Sequence, residues 1–567
     1  MVRSGKKRNF GEEAEWWLGE LIFVWGNVGR WRMGMAWKWA GMWVVCAAQM
    51  LAVSAGAASC AAVKEPPAGA AETAYLAADY EKAAGLYRDA LAAAPGDEQA
   101  RAALVRVLLR EQKVADAAQA VAEGLAKDPG SAVLLTARAE VELREGEPWV
   151  AALTAAAAFR IDPCEARTHL VVGRLSRLNS QYKTARDEFA VAHALAPWDT
   201  EIHADWIRSL PEREQVVELE RGLAEDKTIN VEDRSRVQAS VDAIRRRLDD
   251  PQKACRLIST TSIANILWDP LVYHALDVKL NHFVSKLQID TGASGILISR
   301  SVADHAKLKP FAKTSIYGVG DEANPDSYSA YVDSIQIGGL EFRDCTVEVI
   351  NDKSLQRWDG LIGMDVFSKF LITLDYHKKR VKLDPLPPLP GEDSASSVAA
   401  MEMGNDLSGA DIATNRYMAP EMKDYSPIYR EGHDLLVPVA LNHTKRRLFL
   451  LDTGAWETSI DPKAASDVTK VMHDDSLHVQ GLSGEVAHSF SADSVIFSFA
   501  KMEQRIAAVA SFDTDKLSRG LGMEISGFLG ARTLCLMTIH LDYRDGLVKF
   551  DYDPKYLNIT IQGATAR

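Results

Sequence analysis

The chain has 567 residues, a formal net charge of −13, and a composition that is 47% hydrophobic and 25% charged. At roughly 100–200 residues per domain this predicts about three globular domains, and the acidity, a solubility feature, excludes a nucleic-acid partner, which would want a basic stripe. None of the six cysteines forms a pair at metal-ligand spacing, so no metal site is expected, and the four that follow Cys60 are too scattered for a dense disulfide framework.

Arg30-Trp31-Arg32 and Lys38 precede an apolar stretch from Trp39 to Ala58, the pattern of an export signal over residues 1–60. Ala57-Ala58-Ser59-Cys60 resembles a lipoprotein signal box, with Ala57 where such boxes usually carry Leu. That resemblance implies acylation at Cys60 and a lipid anchor outside the cytoplasmic membrane, in the periplasm. Simple cleavage and an uncleaved anchor stay open beside it. Residues 1–32 fit no signal pattern well, and Met33 or Met35 is an alternative start. No segment after residue 60 holds the about 20 apolar residues of a spanning helix.

A repeat follows. Pro95, Pro129, Pro163 and Pro197 are spaced by 34 residues. Twelve residues before each stands Ala83, Ala117, Ala151 or Ala185, and five before stands Ala90, Gly124, Ala158 or Ala192. Tyr87, Val121, Ala155 and Phe189 recur eight before. Small residues let two helices approach closely, and proline stops the second helix of each pair. The pattern resembles the tetratricopeptide repeat over about residues 68–215. The resemblance implies an all-α solenoid whose concave face binds a peptide or protein partner; a spacer or dimerisation module is the plainer alternative. Residues 211–250 keep helical spacing and are expected to cap the solenoid, which then spans 68–250.

After Cys255 alternating apolar and polar residues predict strands, and two segments match each other. Leu280-Asn281-His282 followed by Leu287-Gln288-Ile289-Asp290-Thr291-Gly292-Ala293-Ser294 parallels Leu441-Asn442-His443 followed by Leu448-Phe449-Leu450-Leu451-Asp452-Thr453-Gly454-Ala455-Trp456. Gly318-Val319-Gly320 begins 28 residues past Asp290, and Gly481-Leu482-Ser483-Gly484 begins 29 past Asp452. Leu361-Ile362-Gly363 and Phe528-Leu529-Gly530 come next, and Leu374-Asp375-Tyr376 and Leu541-Asp542-Tyr543 close the two copies. Five features in one order mark a duplication.

These features resemble the retropepsin-like aspartic peptidases, over about residues 260–386 and 425–555. The resemblance implies two all-β acid-protease lobes and an aspartic-type endopeptidase. Its catalytic groups would be Asp290 and Asp452, sharing one proton and activating a water, since two carboxylates about 3 Å apart do not easily both ionise. Thr291 and Thr453 would lock the loops together, and Gly292 and Gly454 would let the backbone approach the carboxylates. Gly318, Val319, Gly320, Gly481, Leu482 and Gly484 would form flaps over a protein or peptide substrate, with ordinary hairpin turns as the alternative. Ser294 and Trp456 would face the substrate. No cofactor is implied. Ala293 and Ala455 stand where pepsin-type enzymes carry a hydroxyl, which implies a pH optimum milder than strongly acidic.

Trp456 departs from the small or polar residue expected there, as does Gly530-Ala531-Arg532 beside Gly363-Met364-Asp365. The alternative is therefore a non-catalytic peptide-binding or scaffold protein that keeps the fold. His282 and His443 are expected in turns, and Asp375 and Asp542 as solvated or turn-capping strand ends. Pro385–Pro390 and the polar stretch after it predict a linker over 387–424, long enough for the lobes to pair within one chain. Pairing between chains stays open.

Overall fold

The computed structural model describes residues 60–225, 231–249, 255–259, 263–269, 272–316, 318–321, 326–350, 355, 358–391 and 414–552. Almost all of the expected export signal, and the middle of the linker, lie outside the described residues. No described helix is long and apolar enough to cross a membrane.

The 34-residue period becomes a series of helix pairs. Helices Tyr80–Ala93, Pro148–Ile161 and Tyr182–Leu195 each stop two residues before a repeat proline. Two residues after each proline comes a helix cap: Asp97, Ser131, Glu165 and Asp199 accept from the backbone N–H of Ala100, Leu134, Arg167 and Glu201 at 2.9, 3.2, 3.2 and 3.0 Å. The small positions are buried as expected, except Ala90, which is exposed. Gly124 is the tightest of them: a Cβ there would stand 2.4 Å from Arg101 Cδ and 2.9 Å from Leu134. Helices Glu212–Glu225 and Val231–Asp249 close the series around Val216, Val241 and Ile244.

Two disulfides join cysteines that no sequence spacing pairs. Cys255 is bonded to Cys345, tying the entry of the first lobe to strand Leu340–Ile350. Cys60 is bonded to Cys164, in the turn after helix Pro148–Ile161. A sulfur held in a disulfide carries no thioether-linked lipid, so this bond and the acylation expected at Cys60 are alternatives.

Two β-lobes follow the solenoid. In the first, strand Phe283–Asp290 runs parallel to Gly360–Gly363, with Asp290 opposite Gly363. In the second, strand Lys445–Leu451 runs parallel to Gly527–Leu529. Gly360–Gly363 and Gly527–Leu529 are each flanked on their other side by an antiparallel strand, Ile296–Ser299 or Ser459–Ile460. That sandwiching explains the glycines. A Cβ on Gly360 would lie 2.0 Å from Leu297 O, and one on Gly527 2.2 Å from Ser459 O.

The lobes meet in a shared antiparallel sheet. Phe370–Asp375 pairs with Met537–Asp542, so the two Leu-Asp-Tyr strands lie side by side, with Leu371 opposite Asp542 and Asp375 opposite Thr538. Thr373 faces His540 at the centre of this register, and their side chains are hydrogen-bonded at 3.0 Å. Asp375 and Asp542 do cap turns, accepting from Lys378 N and Asp545 N at 3.0 Å each, but both are buried rather than solvated. His282 and His443 lie in exposed turns.

The solenoid is fixed to the second lobe by an apolar core. Leu143, Ala151, Val171 and Leu175 pack with Leu436, Leu448, Leu450, Ile525 and Phe528. Ion pairs Arg447–Glu147 at 3.0 Å and Arg177–Glu431 at 3.1 Å border it. The end of the expected linker is also docked: Lys183 N donates to Thr414 O at 3.1 Å, and Arg416 N to Ser180 O at 2.8 Å. The residues from Thr414 on are thus held against the solenoid.

Replacing Gly360 by alanine pushes a methyl into the Leu297 carbonyl and is expected to cost about 3 kcal/mol of stability. Gly222→Ala, in open space on helix Glu212–Glu225, is expected to be neutral or to stabilise by up to about 1 kcal/mol. Chemical denaturation of the two variants beside the parent checks both.

Candidate active site

Each Asp-Thr-Gly turn begins where a buried strand ends against the apolar-apolar-glycine strand of its own lobe. Asp452 N donates to Leu529 O at 3.1 Å, and Gly363 N donates to Gly295 O at 2.8 Å. The two turns then lock onto one another. Thr291 Oγ1 donates to Leu451 O at 2.6 Å and accepts from Thr453 N at 3.0 Å. Thr453 Oγ1 donates to Ile289 O and accepts from Thr291 N, both at 3.0 Å. Both threonines are buried, so every polar group in this exchange has lost water and found a partner.

The lock brings the aspartates together in a single chain. A Cβ on Gly454 would stand 2.4 Å from Asp290 Cγ, and one on Gly292 would stand 3.0 Å from Asp452 Cγ. Only glycine leaves room there. Gln288 Nε2 adds a further crossing bond to Gly454 O at 3.3 Å.

The two turns set the carboxyls side by side, each facing the glycine of the opposite turn. Burial and then the neighbouring Asp452 charge push Asp290 well above the ordinary carboxylate range. Burial also raises Asp452, but its Oδ1 accepts from Gly454 N at 2.8 Å and Ala455 N at 2.9 Å, and both bonds favour the ionised form. Asp290 Oδ1 accepts from Gly292 N at 2.9 Å. The shared proton belongs to the pair, and the raised values are those of the pair.

Residues 276–369 match the family model described as "gag-polyprotein putative aspartyl protease", and residues 74–141 match a tetratricopeptide-repeat model. The chain joins tetratricopeptide repeats to a retropepsin-like aspartyl protease domain. No curated protein matches it. Among solved structures, a thermophilic TPR protein from Thermus thermophilus is 20% identical, over 31% of this chain and 94% of its own, with a TM-score of 0.26.

The glycine-rich turns of the two retropepsin-like lobes meet tip to tip. Ser483 N donates to Val319 O at 3.0 Å, and Asp321 N donates to Glu485 O at 3.1 Å. A Cβ on Gly318 would meet Leu482, one on Gly320 would meet Ser483 O, and one on Gly481 would meet Val319 O. Gly484 turns the second hairpin in the left-handed region, at φ 85°. Each tip reaches across to the other lobe. Leu482 packs with Ala293, Leu297 and Leu361, and Val319 packs on the cluster of Phe512 and Phe528 that Ala455 borders. Lys516 Nζ holds Gly320 O at 3.1 Å.

Just past the two turns the lobes differ. Ser294 Oγ donates to Asp365 Oδ2 at 2.9 Å, and Gly295 N to Asp365 Oδ1 at 2.9 Å. In the second lobe Arg532 takes the place of Asp365 and pairs with Glu457 at 2.8 Å. Trp456 is 43% exposed, and its carbonyl accepts from Arg532 N at 2.9 Å. The indole leaves the Asp452 turn intact, since both N–H donors to that carboxylate remain. Cys60 takes no part in this site.

Sequence reasoning assigned no role to Asp365, Gln288, Arg532 or Asp434. Asp365 and Arg532 follow the apolar-apolar-glycine element at matched positions of the two copies, which is the signal the sequence offers for them. Asp434 has no motif. It starts strand Asp434–Leu441, is buried, and burial pushes it up to about 6.

Thr291→Ala strands the Thr453 amide and the Leu451 carbonyl. It is expected to cost about 2–3 kcal/mol at the lobe junction, with Thr291→Ser close to the parent. Urea titration followed by tryptophan fluorescence distinguishes the pair.

Proposed function

We propose that the protein is an aspartic-type endopeptidase that hydrolyses peptide bonds with a water activated between Asp290 and Asp452. The observation that carries this is the threonine exchange between two Asp-Thr-Gly turns of one chain, which sets their carboxyls side by side. It favours one composite site per chain over pairing of like lobes between chains. Asp452, with two N–H donors on one oxygen, is suited to hold the negative charge and take a proton from the water. Asp290, protonated, is suited to donate to the substrate carbonyl oxygen as the water oxygen bonds to its carbon. Collapse of the resulting diol then breaks the C–N bond, with a proton passed to the leaving nitrogen.

Thr291, Gly292, Thr453 and Gly454 would support the two carboxyls. Gly318, Val319, Gly320, Gly481, Leu482 and Gly484 would close over the peptide, with Ser294 and Trp456 at its flanks. The solenoid would recruit the substrate. We place the protein outside the cytoplasm, exported through residues 1–60 to the periplasm. The Cys60–Cys164 and Cys255–Cys345 bonds support an oxidising compartment.

Full-length protein, its Asp290→Asn variant and its Asp452→Asn variant are to be compared for cleavage of an unfolded protein mixture. Each substitution is expected to lower the rate by about 10^3-fold or more. Loss in only one variant would shift the site to a pair of like lobes from two chains. No cleavage by the parent at any pH would favour a peptide-binding protein.

The pH profile follows from the raised carboxyls. Activity requires one proton on the pair, so it rises as the first carboxyl ionises and falls as the shared proton leaves. Both values lie above the unfolded-chain value near about 4, which places the falling limb above the ordinary carboxylate range. The same sign holds for stability: the pair's contribution is fullest below the unfolded value and is lost as pH rises through the raised ones. A rate profile peaking below about pH 3 would contradict this.

A further inference from the structure

A cavity of about 1000 Å³ lies between the solenoid and the peptidase lobes. Helices Glu98–Arg110, Ala132–Arg144, Ala166–Leu178 and Thr200–Ser209, the first helix of successive pairs, supply one wall. The facing wall holds Ser294 and Asp365 of the first lobe, with residues 430–433 and 520–523 of the second. The volume is at the upper end for a small-molecule site, about 300–1,000 Å³, and suits a few residues of extended chain.

Its charge is unlike that of the molecule. In a chain of net charge −13, this lining holds eight arginines and five carboxylates. Several of the arginines are neutralised by their neighbours: Arg167 by Glu140 at 2.7 Å, Arg174 by Asp205 at 2.7 Å, and Arg177 by Glu431 at 3.1 Å. Two are not. Among the described residues Arg144 bonds the neutral Gln112 Oε1, and Arg430 donates to Gly432 O at 2.7 Å and Tyr543 O at 2.5 Å. Burial, with the Arg174 and Arg110 charges, outweighs the pull of Glu201 and holds the Arg144 guanidinium below its ordinary value. Arg110, half exposed, reaches Tyr80 Oη at 3.1 Å, with Glu201 4.0 Å away.

The cavity also touches the reaction site. Ser294 stands on the Asp290 turn and bonds Asp365, and both line the cavity. A chain held against Ser294 would have the arginine-lined space beside it.

We infer that this cavity is an exosite for an acidic stretch of the polypeptide substrate, held by Arg144 and its neighbours while a more distant bond is cut. The inference rests on the peptidase reading of Asp290 and Asp452. A carboxylate arriving at Arg144 forms a charge-assisted, bidentate pair with a guanidinium that has already lost part of its water.

The test uses the full chain carrying Asp290→Asn, so that bound peptide stays intact. A fluorescein-labelled Glu-rich peptide and a Lys-rich peptide of equal length are titrated by anisotropy. The Glu-rich peptide is expected to bind, more weakly as salt rises, and Arg144→Gln is expected to weaken it about tenfold, with Arg144→Lys recovering part. Arg110→Gln, at a half-exposed position, guards against misfolding of the first variant and is expected to act in the same direction. Equal binding of the two peptides would overturn the inference, as would parent-like affinity in both Gln variants or a preference for single-stranded nucleic acid. On the active chain, Arg144→Gln is expected to raise KM for a substrate with an acidic tail, with kcat and the tail-less substrate unchanged. Because anisotropy needs no turnover, absence of cleavage by the parent would count against the peptidase reading alone.

Discussion

Two hydroxyls hold this molecule's second half together. Thr291 and Thr453 each donate to the backbone of the opposite strand and accept from the opposite turn, in a place with no water to substitute. Everything near the aspartates depends on that exchange. It sets how closely the turns approach, which is why Gly292 and Gly454 face a carboxyl where a Cβ would fit poorly. Burial at the junction raises both acids, and the neighbouring Asp452 charge raises Asp290 further. The shared sheet of Phe370–Asp375 and Met537–Asp542 supplies the scaffold under the exchange, and the tip-to-tip turns close it from the other side.

The solenoid belongs to the same framework. Its contact with the second lobe is a continuous apolar core, with Leu143 and Val171 among Leu448, Ile525 and Phe528. Such a contact has no advantage for a tethered recruitment arm that must swing. It is what is expected where two parts must keep a fixed distance, and the cavity they enclose opens beside Ser294.

Much of this was legible in the sequence where spacing carried it. The period of the four repeat prolines predicted the helix pairs, and the matched order of the two Asp-Thr-Gly copies predicted both lobes and the facing turns. What spacing could not carry was partnership at long range. The bonds of Cys60 with Cys164 and of Cys255 with Cys345 join residues 104 and 90 positions apart, and no local pattern announces them. At Cys60 a four-residue box is visible, but the distant partner is not. Asp375 and Asp542 look solvated in the sequence because strand ends usually are; their burial comes from the pairing of the two lobes, a tertiary fact. The docked stretch from Thr414 looks like linker because its partners lie around the start of helix Tyr182–Leu195, far back in the chain.

The two halves of the duplication are not interchangeable. Beyond the first turn lies a carboxylate, Asp365, clamping a serine and a backbone amide; beyond the second lies a guanidinium, Arg532, clamping a glutamate next to an exposed indole. An arrangement of two identical halves is a palindrome, and a chain laid across it reads the same from either end. Here the palindrome is broken on both sides of its centre. A peptide bound as proposed would meet a small hydroxyl and the arginine-lined cavity at one end and the Trp456 indole at the other, which would give the molecule a built-in sense of direction along that chain.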